Sequence, residues 1–209
     1  MKKRFAPLTI LAAILLTPLQ ASADSLVDGS AEAGKAKSIT CGACHGMSGN
    51  SVNPLWPNIS GQSASYIVAQ LKAFKSGLRS DPLMTGQAML LSDEDARDLA
   101  VYFESLPAAA KPVANPSTVS RAEALYRGGN NEKKAAACMA CHGPTGRGNP
   151  AATYPALHGQ HAVYIAKQLR DYASGARRSD GKTRIMRDIA ARLNEDDIVA
   201  IASYVQGLK

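Results

Sequence analysis

The sequence has few of the residues from which metal and redox sites are usually built. Among 209 residues there are 4 cysteines and 4 histidines, and all four cysteines fall in two short strings, at residues 41–45 and 138–142. A structural zinc site takes its second pair of ligands from elsewhere in the chain, and no further cysteine is present to form that pair. A thioredoxin-like redox pair needs a strand–turn–helix setting, which the sequence does not indicate around either string. Zinc binding and dithiol exchange are therefore disfavoured at both strings.

Both strings have the form Cys-x-x-Cys-His, which is the attachment pattern of a c-type haem. The two thiols each add to a vinyl group of the porphyrin, and the histidine becomes an axial ligand of the iron. The sequence therefore predicts two covalently bound haem c groups, each with iron at its centre. Their predicted attachment residues are Cys41, Cys44, Cys138 and Cys141, and their predicted proximal ligands are His45 and His142.

Long hydrophobic runs are absent after residue 23, so we expect no later segment to cross a membrane. Residues 1–23 have the pattern of a secretory signal, with a basic start at residues 2–4, an apolar stretch over about residues 8–19 and Ala-Ser-Ala at residues 21–23. The apolar stretch is short for a membrane anchor, and its small-residue ending favours cleavage. We expect the mature chain to begin at Asp24 and to reside in the periplasm, because haem attachment of this type takes place outside the bacterial cytoplasm.

The excess of positive charge gives little support for nucleic-acid binding. The predicted signal carries three of the 24 basic residues and none of the 17 acidic ones, so the rest of the chain has 21 basic residues and a net charge of +4. Nucleic-acid binding would need a clustered basic face together with a readout module, and we expect none. One basic cluster is interpreted either as a solvated loop or as a docking surface for an acidic protein partner. Its members are Arg177, Arg178, Lys182, Arg184 and Arg187.

The chain repeats itself with a period near 97 residues. The segment at residues 56–62 matches the segment at residues 154–160, and the match continues after both. The later matched pairs are Tyr66 with Tyr164, Gln70 with Gln168, Leu71 with Leu169, and Gly77 with Gly175. Prolines and small residues between the halves indicate an extended linker. We therefore predict a cleaved signal at 1–23, an N-terminal domain at 24–106, a linker at 107–118 and a C-terminal domain at 119–209.

The apolar pattern predicts helices in both halves and no strand. Ser63 is predicted to cap a helix that ends near Gly77, and the matching helix of the second half is predicted over about residues 162–174. Ser92 with Asp95 resembles a capping box, and Asn194 is expected to begin the corresponding helix. Shorter helices are predicted near residues 31–39 and 120–127. The fold class expected from the residues is all-α, with two haem domains.

The ligand opposite each histidine decides between an electron carrier and an enzyme, because a thioether closes the iron to exogenous ligands. In the second half Met186 is the candidate, since Met139 lies inside the attachment string. In the first half Met84 and Met89 both remain open by position. The repeat favours Met84, because Met84 and Met186 each lie eight residues before a predicted helix cap.

Other residues are predicted to surround these ligands. A ligating histidine usually donates its second ring N–H to a carbonyl, and Pro57 and Pro155 lie 12 and 13 residues after the two histidines. Trp56 and Tyr154 could bond a haem propionate or pack against the porphyrin, and the sequence leaves both open. The two remaining histidines, His158 and His161, are interpreted as surface or propionate-side residues.

With these motifs the sequence resembles the dihaem cytochrome c4 family over essentially the whole mature chain. The resemblance rests on the two attachment strings, on residues 56–62 and 154–160, on residues 84–86 and 185–187, and on the closing residues 204–208. It implies two tandem class I cytochrome c domains related by pseudo-twofold symmetry, with haem propionates near one another at the domain interface. It also implies His–Met coordination of both irons, with the carbonyls of Pro57 and Pro155 accepting from the proximal histidines. The stretch from Gly77 to Met84 is four residues shorter than its counterpart, which is a departure at the first haem.

The expected function is that of an electron carrier with no catalytic residues. The resemblance implies a monomer that carries electrons in a respiratory chain, from a quinol-oxidising complex toward a terminal oxidase, with redox proteins as partners and a loose association with the membrane. An alternative is the dihaem electron-transfer subunit of an enzyme complex such as a flavocytochrome sulfide dehydrogenase. A dihaem peroxidase would need an open iron position, and Met84 and Met186 argue against it.

Overall fold

The computed structural model describes residues 25–209, so the predicted signal at residues 1–23 lies outside the described residues. The first half contains α1 (Ala31–Lys37), α2 (Ile39–His45), α3 (Ala64–Lys75), α4 (Pro82–Met89) and α5 (Asp93–Ser105). The second half contains α6 (Val119–Gly128), α7 (Met139–His142), α8 (Ala162–Ser174), α9 (Ile185–Ala190) and α10 (Glu195–Gln206). Single 3₁₀ turns lie at Pro116–Thr118, Pro150–Ala152 and Gly181–Thr183. Between residues 25 and 209 the backbone forms two isolated β-bridges and no strand, so the predicted all-α class is confirmed.

The last long helix of each half begins as the sequence predicts. The side chain of Ser92 accepts from the Asp95 backbone N–H and the Asp95 carboxylate accepts from the Ser92 N–H, and Asn194 and Asp197 form the same reciprocal pair at the start of α10. Such capping boxes satisfy amide groups that have no partner within the helix. Both capping boxes are therefore confirmed.

The predicted side-chain cap by Ser63 is wrong. Ser63 occupies the N-cap position of α3, but its hydroxyl accepts no hydrogen bond there. The first amide of the helix, that of Ala64, donates instead to Glu104 Oε1 at 2.9 Å. Ala162 at the start of α8 likewise donates to Gln206 Oε1 at 2.9 Å. In each half a side chain from the end of the last helix does the capping, because packing brings that end against the amide.

Each half has its own apolar core, built where the long helices cross. In the first half α3 packs on α4 and α5, and α1 packs on α5. In the second half α8 packs on α9 and α10, and α6 packs on α10. Tyr126 and Val205 are completely buried in the second core, and Leu71 and Phe74 are buried in the first. The two apolar cores are therefore separate, one in each half.

Asp197 ties three parts of the second half together. Its side chain is 2% exposed and accepts from Arg121 at 2.6 Å and from Lys133 at 2.8 Å. Burial acts to raise the pKa of Asp197, but the hydrogen bonds from Lys133 and Arg121 outweigh burial and hold this pKa below its ordinary value. The carboxylate thus fixes α6 and the loop before α7 against the start of α10.

Residues 107–118, which the sequence predicts to be a linker, run along the second half. Asn115 donates its backbone N–H to Ser203 Oγ at 2.6 Å, and Gln206 donates its side-chain amide to the Pro112 carbonyl at 2.9 Å. Gly159 has a φ of +68°, and a Cβ at this position would lie 1.9 Å from the carbonyl oxygen of Ala109. Glycine is therefore required where the linker crosses the second half. Along residues 25–209 the helices are too short or too polar to span a bilayer.

Candidate haem sites

The two Cys-x-x-Cys-His strings lie on short helices that open onto one cavity shared by both halves. The first string lies on α2, and α7 carries most of the second. The four cysteines form no disulfide, they are partly buried, and all four line an apolar cavity of about 1130 Å³. This volume exceeds the roughly 300–1,000 Å³ of ordinary small-molecule pockets. We refer to it below as the shared cavity.

Both predicted proximal histidines are buried at the wall of the shared cavity. His45 is 7% exposed and His142 is 6% exposed. His45 Nδ1 lies 2.8 Å from the Pro57 carbonyl oxygen, and His142 Nδ1 lies 2.9 Å from that of Pro155. Since a carbonyl only accepts, each Nδ1 carries the proton and each Nε2 keeps its lone pair. Burial lowers the pKa of both imidazoles, against a smaller opposite effect of the carbonyl, so both are neutral and fit to bind a metal.

The methionines fall into two groups. Met84, at the start of α4, and Met186, at the start of α9, are half-buried and line the shared cavity. Met89, at the far end of α4, is 62% exposed, and Met47 is 69% exposed. Met139 packs against the core of the second half. The structure thus brings to the cavity the pair that the repeat selected, and their role as axial ligands stays a prediction.

The two aromatic residues next to the accepting prolines also border the shared cavity. Trp56 and Tyr154 are both half-buried and line it. The ring centroid of Tyr154 lies 6.3 Å from that of His142, with the two planes tilted by 50°. Both side chains are therefore placed for packing beside a porphyrin, and a hydrogen bond to a propionate stays a prediction.

Arg177 is not in a solvated loop, and that interpretation of the basic cluster is wrong for this residue. Its side chain is 4% exposed and crosses to the first half. Its guanidinium donates to Tyr66 Oη and Gln70 Oε1, both at 2.7 Å, to Gln168 Oε1 at 2.7 Å and to Ser179 Oγ at 2.9 Å. Burial occurs because the chain after α8 turns back into the junction between the halves.

Arg79 makes the equivalent crossing from the first half. It donates to Gln70 Oε1 at 3.1 Å, and across the junction to Gln168 Oε1 at 3.0 Å and to Tyr164 Oη at 2.5 Å. We refer to Arg79 and Arg177 as the crossed arginine pair. Sequence reasoning missed this pair, although Arg79 and Arg177 follow the matched glycines of the repeat at the same distance.

The crossed arginine pair provides a test of whether haem fits the shared cavity. Both side chains line the cavity, and within residues 25–209 none of the hydrogen-bond acceptors of their guanidinium groups is a carboxylate. Buried cations are normally paired with anions. Each haem carries carboxylates on one edge, so two haems would place anions in a cavity that already holds two cations. Together with the thiols, the neutral imidazoles and the thioethers, the residues present fit two haem groups.

One of the two remaining histidines departs from the surface interpretation, and the propionate-side interpretation stays a prediction for both. His161 is not a surface residue: it is 6% exposed, and its Nε2 lies 2.9 Å from the Ser51 carbonyl oxygen of the first half. His158 is half-buried, with its Nδ1 3.2 Å from the Gly146 carbonyl oxygen. His161 is buried because its loop is part of the junction, which local sequence does not reveal.

Comparison with known proteins agrees with this geometry. The family model described as Cytochrome c matches residues 31–107 and again residues 129–209. The chain is 47% identical over 180 residues to cytochrome c4 of Pseudomonas aeruginosa, covering 86% of this chain and 89% of that protein. The crystal structure of reduced recombinant cytochrome c4 from Pseudomonas stutzeri superposes with a TM-score of 0.84 at 43% identity, covering 87% of this chain and 100% of that one. The chain is also 32% identical over 212 residues to the thiosulfate dehydrogenase electron acceptor of Stutzerimonas stutzeri strain A1501, covering 98% of this chain and 95% of that protein.

Proposed function

Since this chain belongs to the cytochrome c family, and within it to the dihaem cytochromes c4, we propose that it shuttles electrons in a respiratory chain from a quinol-oxidising complex toward a terminal oxidase. It is an electron carrier rather than an enzyme, and it carries two covalently bound haem c groups. The observation that carries the proposal is the lining of the shared cavity. Each half contributes two thiols, one carbonyl-bound histidine and one methionine to it.

The residues divide the work of holding each haem. The four cysteines attach the groups covalently, and the peptide carbonyls of Pro57 and Pro155 orient the imidazoles of His45 and His142. Met84 and Met186 are the proposed sixth ligands, which leave no position for a substrate. Haem c supplies reversible one-electron chemistry at its iron, and a methionine ligand raises its potential.

The other side chains that line the shared cavity exclude water and contribute positive charge. Apolar residues of α3 and α8 that face the shared cavity keep solvent away from the metal positions. The crossed arginine pair is proposed to bind haem propionates, because guanidinium groups form strong, directional hydrogen bonds to carboxylates. Arg177 is buried and Arg79 is half-buried, so solvent screens these groups only in part. This arrangement balances the buried charge and holds the propionate edges at the junction.

Location and partners follow from the same proposal. We propose a periplasmic monomer with domains at 24–106 and 119–209, loosely associated with the membrane. Exposed basic side chains on the second half are available to an acidic redox partner, and complementary charge speeds such encounters. They are Arg178, Lys182 and Arg184.

A second candidate function is supported by the similarity to a thiosulfate dehydrogenase electron acceptor. The thiosulfate dehydrogenase electron acceptor shares nearly the full length of this chain. The donor of this protein would then be a sulfur-oxidising enzyme, as in the alternative of a flavocytochrome sulfide dehydrogenase subunit. Both candidates use the same two haems and differ only in the protein that docks on the surface.

An optical potentiometric titration of the holoprotein tests the proposal, and we expect two one-electron steps. Mass spectrometry is expected to show a mass increase of two haems. The absorption spectrum of the ferric protein is expected to show a band of methionine ligation that integrates to two per molecule. Rapid cyanide binding by both ferric haems at neutral pH would refute methionine ligation.

Stopped-flow reduction by a quinol-oxidising complex, compared with reduction by thiosulfate dehydrogenase, separates the two candidate functions. Faster reduction by thiosulfate dehydrogenase would refute the respiratory role and support the second candidate function.

A further inference from the structure

Two peptide groups in the junction are hydrogen-bonded at both ends, and each links a proximal histidine to the opposite half. The peptide between Pro57 and Asn58 accepts from His45 Nδ1 at its carbonyl, at 2.8 Å. Its N–H, on Asn58, donates to Gln160 Oε1 of the second half at 2.9 Å. The chain of contacts therefore runs from Gln160 through one peptide to His45.

The equivalent series of hydrogen bonds leads to the other histidine. The peptide between Pro155 and Ala156 accepts from His142 Nδ1 at 2.9 Å. Its N–H, on Ala156, donates to Gln62 Oε1 of the first half at 2.9 Å. The two glutamines are matched positions of the repeat, so the crossing follows the internal symmetry.

The orientation of both glutamines is fixed by their backbone partners. Gln160 Nε2 donates to the Asn58 carbonyl at 2.8 Å, and Gln62 Nε2 donates to the Ala156 carbonyl at 2.9 Å. A flipped amide would set donor against donor and acceptor against acceptor in both places. Gln62 is 8% exposed and Gln160 is 7% exposed, so both amides are largely shielded from bulk solvent.

We propose that Gln62 and Gln160 are positioning residues that tune the haem of the opposite half through these two peptides. An amide is conjugated, so an acceptor on its N–H makes its carbonyl more negative, and hydrogen bonds in such a chain strengthen one another. A stronger acceptor draws the Nδ1 proton of the histidine and makes the imidazole a better electron donor. The ferric state is thereby favoured, and the potential of that haem is lowered. The inference rests on the proposed ligation by His45 and His142.

The test is to replace each glutamine with methionine, which has a similar volume and lacks the amide. Gln62→Met is expected to raise the potential of the second haem and leave the first unchanged, and Gln160→Met is expected to do the reverse. The expected change is roughly two- to fivefold in the reduction equilibrium, or about 20–40 mV at 59 mV per tenfold. Gln62→Asn shortens the side chain but keeps the amide, and is expected to give the same crossed shift if the methionine variant does not fold.

Each haem is titrated separately, in a variant that shifts the potential of the other haem out of the measured range. Met186→His lowers the potential of the second haem, so that the first is measured separately, and Met84→His isolates the second. The matched control is Ser65→Ala. It deletes another hydrogen bond between the halves, from Ser65 Oγ to the Pro150 carbonyl at 2.7 Å, which does not involve a histidine peptide.

A second readout follows the histidine directly. In the reduced, diamagnetic protein, the Nδ1–H proton resonance of His142 is expected to move upfield in Gln62→Met, and that of His45 in Gln160→Met. Equal shifts in both haems, a shift in the haem of the same half, or a shift equally large in Ser65→Ala would overturn the proposal. These outcomes are distinct from failure of the proposed function, in which the unsubstituted protein would lack methionine ligation or reversible reduction.

Discussion

Replacing Arg177 with glutamine tests the crossed arginine pair, because the sign of the stability change depends on what the arginine faces. The guanidinium is 4% exposed and makes hydrogen bonds to four residues. Gln70 and Gln168 also accept from Arg79, and Ser179 also bonds Tyr172 Oη at 3.0 Å. The hydroxyl of Tyr66 is therefore the main protein group left without this partner.

The magnitude follows from the two possible surroundings of the charge. A buried polar group that loses its partner costs about 1–3 kcal/mol. Removing one member of a buried ion pair costs about 3–5 kcal/mol, because the other charge stays buried. If a haem propionate faces Arg177, we expect the holoprotein to lose about 4 kcal/mol or more of unfolding free energy. If no anion faces it, the substitution removes an uncompensated buried cation, and stability is unchanged or increased.

The assay is guanidinium unfolding of the ferric holoprotein, followed by the haem absorption and by far-ultraviolet circular dichroism. Arg178→Gln is the matched control, since its side chain is exposed and we expect a change within about 0.5 kcal/mol. The potentials give a second readout, because removing a positive charge near the haems favours ferric iron and lowers them. A holoprotein with two haems whose stability is unaffected by Arg177→Gln would refute the pairing with propionates.

Three further predictions concern ligation, acid stability and the linker. Met84→Ala is expected to remove half of the methionine–ferric band and to admit cyanide at one haem, whereas Met89→Ala is expected to change neither, since its side chain is exposed; cyanide titration checks both. Asp197→Asn is expected to destabilise the protein at pH 7 by about 2 kcal/mol, below the value for a fully buried pair because both cations are partly exposed. Because the folded-state pKa of Asp197 is lowered, this contribution to stability is present above the unfolded pKa of about 3.9 and is lost as the pH falls through the folded pKa. The unfolding free energies of the two proteins in urea should therefore converge in acid. Gly159→Ala is expected to cost about 3 kcal/mol or more, because it adds a clash with the linker carbonyl to the strain of positive φ, whereas Gly175→Ala, with φ of +79° and open space, is expected to cost about 1 kcal/mol in the same assay.

The parts of the site that sequence predicts are those with local chemical requirements. A haem attachment string must be contiguous, so both strings are legible as they stand. The capping boxes at Ser92 and Asn194 are equally local, and both are present. The choice of Met84 over Met89 needed the repeat, because the two residues have the same chemistry and differ only in which end of α4 they occupy.

The parts that sequence missed depend on contacts between the halves. Arg177 and His161 stand among polar residues, where exposure is the ordinary expectation. Both are buried because the second half closes against the first, and each bonds a partner more than 100 positions away in the chain. Ser63 is the converse case: its local position is that of a cap, but Glu104 reaches the amide first. A comparison of Arg79 with Arg177 across the repeat was the available signal for the crossed pair.

The chemistry of the junction explains why the two halves keep one arrangement. The two apolar cores are separate, so hydrophobic packing alone would allow the halves to slide. Gln62 and Gln160 instead satisfy a backbone donor and a backbone acceptor of a single residue in the opposite half, and the crossed arginine pair spans the same surface. A shift by one residue would leave buried polar groups unpaired on both sides, at about 1–3 kcal/mol for each group. Polar pairing therefore fixes the relative position of the two haem sites.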